Sequence, residues 1–489
     1  MDAGRASRRE FLCQAGLGAL ALALDGSLPD LSGAQNNKFN VLFIAIDDLN
    51  DWAGCLGGHP GVHSPNIDRL ASTGVLFTNA HCAAPLCNPS RAALMTGIRP
   101  STSGVYDNSE SMLDSPVSAE ATTLPAHFRS HGYLTLGSGK IYHGACPDPE
   151  AWHDYSPSKT EIRHPDPMPA NRPLNGIPDT RHFDWGPVDV PDNEMGDWKV
   201  ADWVSRQIKQ DHRQPFFLAC GFFRPHLPWY VPKKYFDLYP LDQVVLPEVK
   251  PDDLEDLPMF ARRIANPSGD HARVTGYAQW SEAVRGYLAS ISFVDDCVGR
   301  VINALEASPH RDNTIVVLWA DHGWHLGEKL HWRKFSLWEE ATRNILFFRA
   351  PGLTRSRNSC DSPVSLIDIY PTLVELCGLS PIKALEGNSL VTLLKNPASG
   401  WEAPALTTYG RNNHSVRSRD WRYTRYHDGT EELYNHLSDR HEWFNQADNP
   451  AYVNVKQDLS RWLPRVNVPS VSSRLDKKSL LEKISSKEP

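Results

Sequence analysis

The stretch FNVLFIAIDD, residues 39–48, decides how this chain is expected to fold. Its apolar residues run without alternation from Val41 to Ile46, and two adjacent aspartates, Asp47 and Asp48, follow directly. A short continuous apolar run is typical of a strand that is buried on both faces of a parallel sheet. Such sheets bind their ligands at the carboxyl edge. The paired aspartates are therefore expected at that edge.

Three further apolar runs repeat this arrangement, each with charged or basic residues just after it. They are YLTLGSGKIYH (133–143), PFFLACGFFRPH (215–226) and TIVVLWADHG (314–323). Segments with helical periodicity separate the runs, such as residues 282–305, where apolar residues recur every three or four positions. The sequence therefore predicts an α/β fold with a large, mostly parallel sheet flanked by helices.

The segment around HDG, residues 427–429, differs from these runs because polar and aromatic side chains alternate there. This pattern is typical of a β-hairpin. We therefore expect a main α/β domain over residues 35–379 and a smaller C-terminal α+β domain over residues 380–489. Residues 146–191 are rich in Pro and His and show no period, so they are expected to form a long surface insertion near the active face.

The N-terminal residues carry an export signal. Arg8 and Arg9 precede an apolar stretch, residues 11–24, that is too short to span a bilayer and fits the apolar part of a signal peptide. With the small residues Ser-Gly-Ala at its end, the segment 1–34 resembles a twin-arginine signal peptide. It predicts export by the twin-arginine translocase to the periplasm or the medium. The mature chain is expected to begin near Gln35 and to have no transmembrane span.

Composition excludes several classes of partner and site. A formal net charge of −8 and a pI near 6.2 argue against nucleic acid or an anionic membrane as the main partner. Outside the signal segment, eight cysteines show no CxxC pair and no zinc-type spacing. Cys220 and Cys377 lie in apolar runs and are expected in the core. Cys87 differs because its neighbours are Asn, Ser and Arg.

Cys87 opens the segment CNPSRAALMTG, which is expected to form a short helix that ends at Gly97. Asn88 is expected to cap this helix, with Pro89 in its first turn. Cys87 would then lie at a helix N-terminus, where unpaired N–H groups favour anions, and Arg91 would face the same place. From the residues alone, Cys87 could be a core thiol, half of a disulfide, a nucleophile or the precursor of another group.

Charged residues that follow the predicted strands indicate a metal site inside a cationic pocket. Asp47 and Asp48 repel each other unless a hard cation neutralises them, and Asp321 with His322 supplies a second set of ligands, so oxygen-rich coordination of Ca²⁺ or Mg²⁺ is expected. The candidate cationic groups are Lys140, His143, His226 and Lys334. Together these groups suit the binding and transfer of a tetrahedral oxyanion.

At this point the residues resemble a known family. CNPSR followed by ALMTG is similar to the sulfatase signature Cys-x-Pro-Ser-Arg, in which the cysteine is oxidised to formylglycine. The charged residues named above follow the order of that family's site, and ELYNHLSDRHEWFN (432–445) is similar to its C-terminal hairpin. The chain is thus identified as a member of the formylglycine-dependent sulfatases, within the alkaline-phosphatase-like superfamily. RPHLPWYVPKKYFDLYP and DHGWHLGEKLHWRKFS most resemble the iduronate-2-sulfatases.

The resemblance implies a role for each candidate residue. One Ca²⁺ would be held by Asp47, Asp48, residue 87, Asp321 and His322. A formylglycine-generating enzyme would convert Cys87, and a hydroxyl of the hydrated aldehyde, near Arg91, would attack sulfur. Lys140 would hold sulfate oxygens, and His226 or Lys334 would protonate the leaving oxygen. His143 would take a proton from the second hydroxyl and regenerate the aldehyde.

The iduronate-type resemblance implies an exported enzyme that removes 2-O-sulfate from uronic acid residues of sulfated polysaccharides. Three alternatives stay open. Choline sulfatases share the Asp321–His322 pair, and phosphonate or phosphodiester hydrolases of the superfamily use the same aldehyde. The third is a non-catalytic binder of sulfated glycans in which Cys87 is never converted. Residues 146–191 and the loops around Trp324 and Trp332 are expected to shape the choice of substrate.

Overall fold

The four apolar runs identified in the sequence form neighbouring strands of one sheet. The computed structural model describes residues 38–180 and 182–471, so the signal peptide expected over residues 1–34 lies outside the described residues. The strands are β1 (Asn40–Ile46), β2 (Val75–His81), β3 (Leu134–Gly139), β4 (Asp154–Ser156), β5 (Trp185–Val188), β6 (Phe216–Phe222), β7 (Trp229–Pro232), β8 (Thr314–Ala320), β9 (His325–Leu326), β10 (Trp332–Arg333), β11 (Arg343–Arg349), β12 (Asn358–Cys360), β13 (Val364–Ser365), β14 (Ala405–Thr408), β15 (His414–Arg417), β16 (Trp421–Arg425) and β17 (Glu431–Asn435). The α-helices are α1 (Pro65–Ala71), α2 (Cys87–Thr96), α3 (Pro100–Ser103), α4 (Pro116–Ala119), α5 (Leu124–Ser130), α6 (Gly196–Ile208), α7 (Lys233–Phe236), α8 (Met259–Ala265), α9 (Asp270–Gly276), α10 (Trp280–Glu306), α11 (Glu339–Thr342), α12 (Ile369–Leu376), α13 (Val391–Lys395) and α14 (Val453–Ser460). Within the two described ranges, no helix is long and apolar enough to cross a membrane.

The central sheet has nine strands. Eight of them follow the order β12-β2-β11-β8-β1-β6-β3-β4, and β13 pairs with β2 beside β12. Strand β11 runs antiparallel to β2 and β8, and the other pairs of this sheet are parallel. The prediction of a large, mostly parallel sheet flanked by helices is confirmed.

Strand β1 is buried on both faces because its alternate side chains enter two different cores. Leu42 and Ile44 pack in one core with the apolar face of α10, and Val41 and Phe43 pack in the other with α12. Each such side chain contributes about 1.5–3 kcal/mol by leaving water. The continuous apolar run therefore stabilises the strand only between two layers of helices.

The parallel strands bring the predicted site residues to one edge of the sheet. Asp47 directly follows β1, Lys140 follows β3, Phe223 follows β6 and Asp321 follows β8. Because these four strands run in the same direction, their carboxyl ends lie side by side. We refer to this side of the sheet as the carboxyl edge.

The expectation of a long surface insertion over residues 146–191 is wrong in part. Strand β4 pairs in parallel with β3 and forms one edge of the central sheet, and β5 pairs with β7. Trp152 and Tyr155 from this segment are buried in the core. Sequence periodicity missed the strand because three residues are too few to show a pattern.

The C-terminal part contains a smaller antiparallel sheet in the order β14-β15-β16-β17. The predicted hairpin is present: β16 and β17 pair across a turn that includes residues 427–429, and Gly429 adopts a φ of 85° there. The described residues on both sides of position 379 belong to one compact unit. The domain boundary between residues 379 and 380 therefore stays a prediction. All eight cysteines of the described residues are free thiols, and Cys220 and Cys377 are buried in the cores as predicted.

Candidate active site

Cys87 is the first residue of α2, and its side chain is fully buried. The prediction that Asn88 caps this helix is wrong, because the helix begins before it. The Asn88 side-chain amide instead donates hydrogen bonds to the carbonyl oxygens of Asp107 (2.9 Å) and Glu110 (2.7 Å), which hold a neighbouring loop against the helix. Gly97 ends the helix in the left-handed conformation, with a φ of 73°, as predicted.

The sulfur of Cys87 lies among groups of both charges. Nζ of Lys334 donates a hydrogen bond to it at 2.9 Å, and Nε2 of His322 lies at 3.3 Å. Oδ1 of Asp48 is 3.8 Å from the sulfur and accepts a hydrogen bond of 2.6 Å from Lys334. A side chain at position 87 is therefore held between a cation and a carboxylate.

Asp48 has an unusual conformation and an unsatisfied oxygen. Its φ is 60°, in the left-handed region that non-glycine residues seldom adopt. The hydroxyl of Tyr287 donates to the Asp48 carbonyl oxygen (2.7 Å) and accepts from the backbone N–H of Asn50 (3.0 Å), which stabilises this turn. Oδ2 of Asp48 is buried and has no hydrogen-bond partner. Such an oxygen is costly unless a further group binds it.

Arg91 and Lys140 balance the charges of the other two aspartates. Nε of Arg91 lies 2.8 Å from Oδ2 of Asp321, and its Nη2 lies 3.2 Å from Oδ1 of Asp47. The second oxygen of Asp47 pairs with Nζ of Lys140. Burial opposes ionisation of Asp47, but Lys140 and its other cationic neighbours hold the pKa of Asp47 well below its usual range.

The acidic residues fit a divalent cation. The ligand atoms of two overlapping sets lie within 4.8 Å of one another: Asp47, Asp48, Cys87 and His226 form one set, and Asp47, Cys87, Asp321 and His322 form the other. Burial raises the pKa of Asp48 to about 8, although Lys334 opposes this, so its ionised form requires more positive charge nearby. Carboxylate oxygens are the ligands that hard cations prefer.

The protonation of His322 also indicates that a cation binds in this cluster. Burial opposes its charge, yet Asp321 raises the pKa of His322 to about 9, so an imidazolium is favoured where a cation would bind. Its Nδ1 lies 3.0 Å from the carbonyl oxygen of Gly323 and donates to it. In the neutral ring, Nε2 then keeps a lone pair for a metal ion.

The two remaining histidines occupy different places. Nδ1 of His226 donates to the carbonyl oxygen of Leu227 (2.6 Å), and its Nε2 lies 3.9 Å from Oδ2 of Asp48. The His226 side chain is 26% exposed, so a ligand could reach it. Nδ1 of His143 is buried with no hydrogen-bond partner, and burial together with Lys140 lowers the pKa of His143 to about 3. No hydrogen bond joins His143 to Cys87.

Sequence reasoning missed two residues that hold this site in place. Tyr287 lies on the buried face of α10, where a tyrosine resembles any other core residue. Ser90 belongs to the CNPSR motif, but no role was predicted for it; its hydroxyl donates to the carbonyl oxygen of Asp321 at 2.6 Å. Only its place in the motif could have indicated this contact.

The arrangement as a whole suits anion transfer. The side chains that carry fixed positive charge around Cys87 are Arg91, Lys140 and Lys334, and all three are buried. Charged donors placed in advance in a water-poor site stabilise the charge that develops on an oxyanion in the transition state. The structure therefore brings the predicted residues together, and His143 lies within the electrostatic reach of Lys140 and Asp47. Their individual roles stay predictions.

Comparison with protein families gives two matches. A family model described as Sulfatase matches residues 39–379, and one described as N-sulphoglucosamine sulphohydrolase, C-terminal, matches residues 327–468. The first match covers well over half of the chain and includes every predicted site residue.

Individual proteins are also similar to this chain. A protein named Sulfatase from Formosa agariphila is 41% identical over 447 residues, which cover 88% of this chain and 87% of that protein. Iduronate 2-sulfatase of Mus musculus is 32% identical over 422 residues, which cover 74% of this chain and 72% of that protein. Among solved structures, the phosphonate monoester hydrolase from Silicibacter pomeroyi superposes with a TM-score of 0.71 at 23% identity, over 87% of this chain and 94% of that one. At this identity, the last likeness shows the fold alone.

Proposed function

Because this chain belongs to the sulfatase family and is a sulfuric ester hydrolase, we propose that it removes 2-O-sulfate groups from uronic acid residues of sulfated polysaccharides. The family resemblance of the sequence is confirmed by these matches. The substrate proposal is supported by the similarity to a mouse iduronate 2-sulfatase. The single observation that carries the chemistry is the placement of Cys87, with its sulfur 2.9 Å from Lys334 and 3.3 Å from His322.

We propose that a formylglycine-generating enzyme oxidises Cys87 to formylglycine. The sulfur of Cys87 marks the place where the oxygen atoms of that residue would lie. Hydrated formylglycine would supply one hydroxyl as the nucleophile and a second that, on losing its proton, would re-form the aldehyde as the C–O bond to sulfate breaks, without attack by water on sulfur. The α2 N-terminus and Lys334 would stabilise negative charge on such an oxygen. A thiolate at the same place would instead form a stable thiosulfate ester.

We propose Ca²⁺ as the cation of the acidic cluster, held by Asp47, Asp48, Asp321, His322 and residue 87. When bound, a divalent cation neutralises the buried carboxylates and lowers the pKa of a coordinated hydroxyl. Asp48 supports the proposal most strongly, because its Oδ2 is buried without a hydrogen bond.

The chain's own cations would then bind the sulfate group. Lys140 and Lys334 are buried beside position 87 and would donate hydrogen bonds to sulfate oxygens as charge shifts toward them. Burial opposes the charge of Lys334, but Asp48 raises its pKa, so Lys334 is protonated in the free site. His226 or Lys334 would supply the proton for the departing sugar oxygen. Burial holds the pKa of His226 well below its usual value, so His226 could serve only if the bound sulfate anion first raises that pKa. His143 would act as the base that completes turnover.

We also propose that the chain is exported by the twin-arginine translocase to the periplasm or the medium, as Arg8 and Arg9 indicate. Replacing both residues with lysine keeps the charge and removes the guanidinium pair. The double variant is expected to accumulate in the cytoplasm, which cell fractionation and immunoblotting would detect. Unchanged export would contradict this route.

The test of the proposed function has two steps. Peptide mass spectrometry across residue 87, on protein from a host with a formylglycine-generating enzyme, is expected to show loss of the thiol and gain of an aldehyde. Steady-state kinetics on a panel of esters then identify the substrate: a 2-O-sulfated uronic acid disaccharide, a 6-O-sulfated glucosamine, choline sulfate and a phosphonate monoester. An unmodified thiol with no turnover would favour a binding protein. Preference for choline sulfate or the phosphonate would contradict the proposed substrate class but not the proposed nucleophile.

A further inference from the structure

Arg163 lies beside the site on a ring that it shares with Lys140. Cζ of Arg163 is 4.7 Å from the centroid of the Phe223 ring, and Nζ of Lys140 is 5.3 Å from the same centroid. Phe223 directly follows β6, so this group lies at the carboxyl edge. Arg163 belongs to the segment 146–191, which brings it here from outside the strands and helices that hold the other site residues.

A buried carboxylate holds Arg163 in place through one of its nitrogens. Oδ2 of Asp166 accepts from Nη2 of Arg163 (3.3 Å) and from Nη2 of Arg224 (2.9 Å), and Oδ1 accepts from the backbone N–H of Gly196 (2.7 Å). Two guanidinium groups therefore share one carboxylate oxygen. The nearby Glu161 bonds only to the backbone N–H of Arg163, at 3.3 Å. A second buried carboxylate, Asp197, accepts from the backbone N–H groups of Phe223 (2.8 Å) and Arg224 (2.7 Å) and lies close enough to balance the charge of Arg224.

Exposure separates the two arginines. The side chain of Arg224 is 1% exposed, and its Nη1 donates to the carbonyl oxygen of His226 at 3.4 Å, so it supports the loop that carries His226. The side chain of Arg163 is 40% exposed, and the Asp166 contact engages only one of its nitrogens. The remaining donors form a planar fork that matches a carboxylate.

We propose that Arg163 binds the carboxylate of the sulfated uronic acid while the Cys87 site holds its sulfate. The proposal rests on the proposed function and deepens it, since it explains why a sugar with two anionic groups is preferred. Lys140 would contact the sulfate and Arg163 the carboxylate, both beside the Phe223 ring. Arg163 is thus a specificity-determining residue, and the segment 146–191 contributes to substrate choice through it.

The test compares two substrates that differ only in the carboxylate. One is a 2-O-sulfated uronic acid disaccharide, and the other is its methyl ester, which keeps the sulfate and loses the negative charge. Arg163→Gln is expected to lower kcat/KM for the free acid by about 10- to 100-fold, mainly by raising KM, because a hydrogen-bonded ion pair is lost in both ground and transition states. The methyl ester is expected to show little further loss in this variant, since its binding already lacks that ion pair.

Two variants serve as controls. Arg163→Lys keeps the charge and is expected to recover part of the affinity for the free acid. Arg461→Gln removes an exposed arginine at the end of α14, where it pairs with Asp458 at 3.0 Å, and is expected to change kcat/KM for neither substrate. Equal losses on free acid and ester in Arg163→Gln, or no loss on the free acid, would overturn the inference and leave the proposed function standing. If the unaltered enzyme hydrolyses an aryl sulfate but neither disaccharide, the result would overturn the inference about Arg163 and the proposed substrate class together.

Discussion

Nζ of Lys334 lies 2.9 Å from the sulfur of Cys87, although the two residues are 247 positions apart in the chain. The same ammonium group lies 2.6 Å from Oδ1 of Asp48. Residue 87 is thus held against a buried positive charge at the start of a helix, where backbone N–H groups add to the same field. This pairing favours negative charge on the side chain at position 87 and underlies the predictions that follow.

Replacing Cys87 with alanine should abolish turnover and leave the fold intact. The change removes the nucleophile's precursor, and losses of roughly 10⁴-fold or more are typical when a nucleophile is removed. Turnover of an aryl sulfate and the melting temperature are the two measurements. Cys220→Ala is the matched control, because Cys220 is equally buried but lies within β6, away from the site. Activity near that of the unaltered enzyme in Cys87→Ala would exclude the proposed mechanism.

Replacing Asp321 with asparagine should weaken calcium binding. The side chain keeps its size but loses the charge that pairs with Arg91 at 2.8 Å and accepts from the Asp48 backbone N–H at 3.1 Å. We expect at least a tenfold rise in the calcium dissociation constant, measured by isothermal titration calorimetry. Asp295→Asn is the control, since Asp295 is a buried carboxylate that binds the start of α1 instead. Equal calcium affinity in the two variants would show that Asp321 is not a calcium ligand.

Calcium should stabilise the protein more at about pH 8 than at about pH 5.5. Burial raises the pKa of Asp48 from 3.8 to about 8, and Asp321 outweighs burial to raise that of His322 from 6.5 to about 9. The folded calcium-free protein therefore binds these protons more tightly than the unfolded chain, and their stabilising contribution is lost as the pH rises through those values. Calcium competes with the same protons. The melting temperature with calcium minus that with chelator should increase with pH, and a constant difference would contradict this linkage.

Replacing His226 with alanine should affect substrates according to their leaving group. A sugar alcohol needs a proton as it departs, whereas a nitrophenolate leaves readily without one. We expect kcat on the sulfated disaccharide to fall by about 10²- to 10⁴-fold and that on 4-nitrophenyl sulfate to fall much less. Comparable losses on both substrates would assign His226 to binding or metal ligation, which its 3.9 Å distance from Asp48 also allows.

Replacing Arg422 with alanine should destabilise the protein strongly. This buried side chain on β16 pairs with Glu442 at 2.5 Å and with Glu339 of α11, so it links the C-terminal sheet to the rest of the chain. Removing one partner of a buried ion network costs about 3–5 kcal/mol. Arg419→Ala is the control, because Arg419 is 55% exposed and should contribute less than about 1 kcal/mol. Chemical denaturation measures both, and equal small losses would show that the network contributes little.

The arrangement of strands and their terminal charges could be predicted because both depend on neighbouring residues. The run that ends in Asp47 and the run that ends in Asp321 each form a strand by local burial, and parallel pairing brings their ends together. The helix at Cys87 ends at Gly97 for a similarly local reason. The prediction that Asn88 caps this helix was wrong because the Asn88 side chain instead bonds to the carbonyl oxygen of Asp107, whose loop lies close only in the folded chain.

By itself, the sequence determined the α/β class, the carboxyl edge that bears the site and the motif around Cys87, since periodicity and motif spacing are local properties of the chain. Only the tertiary structure decided which side chains meet there. It placed the hydroxyl of Tyr287 against the Asp48 backbone and Arg163 against Phe223. Such contacts join residues far apart in sequence, and their stabilisation exists only after the chain has paid the entropy of folding. For that reason no local pattern in the sequence identified them.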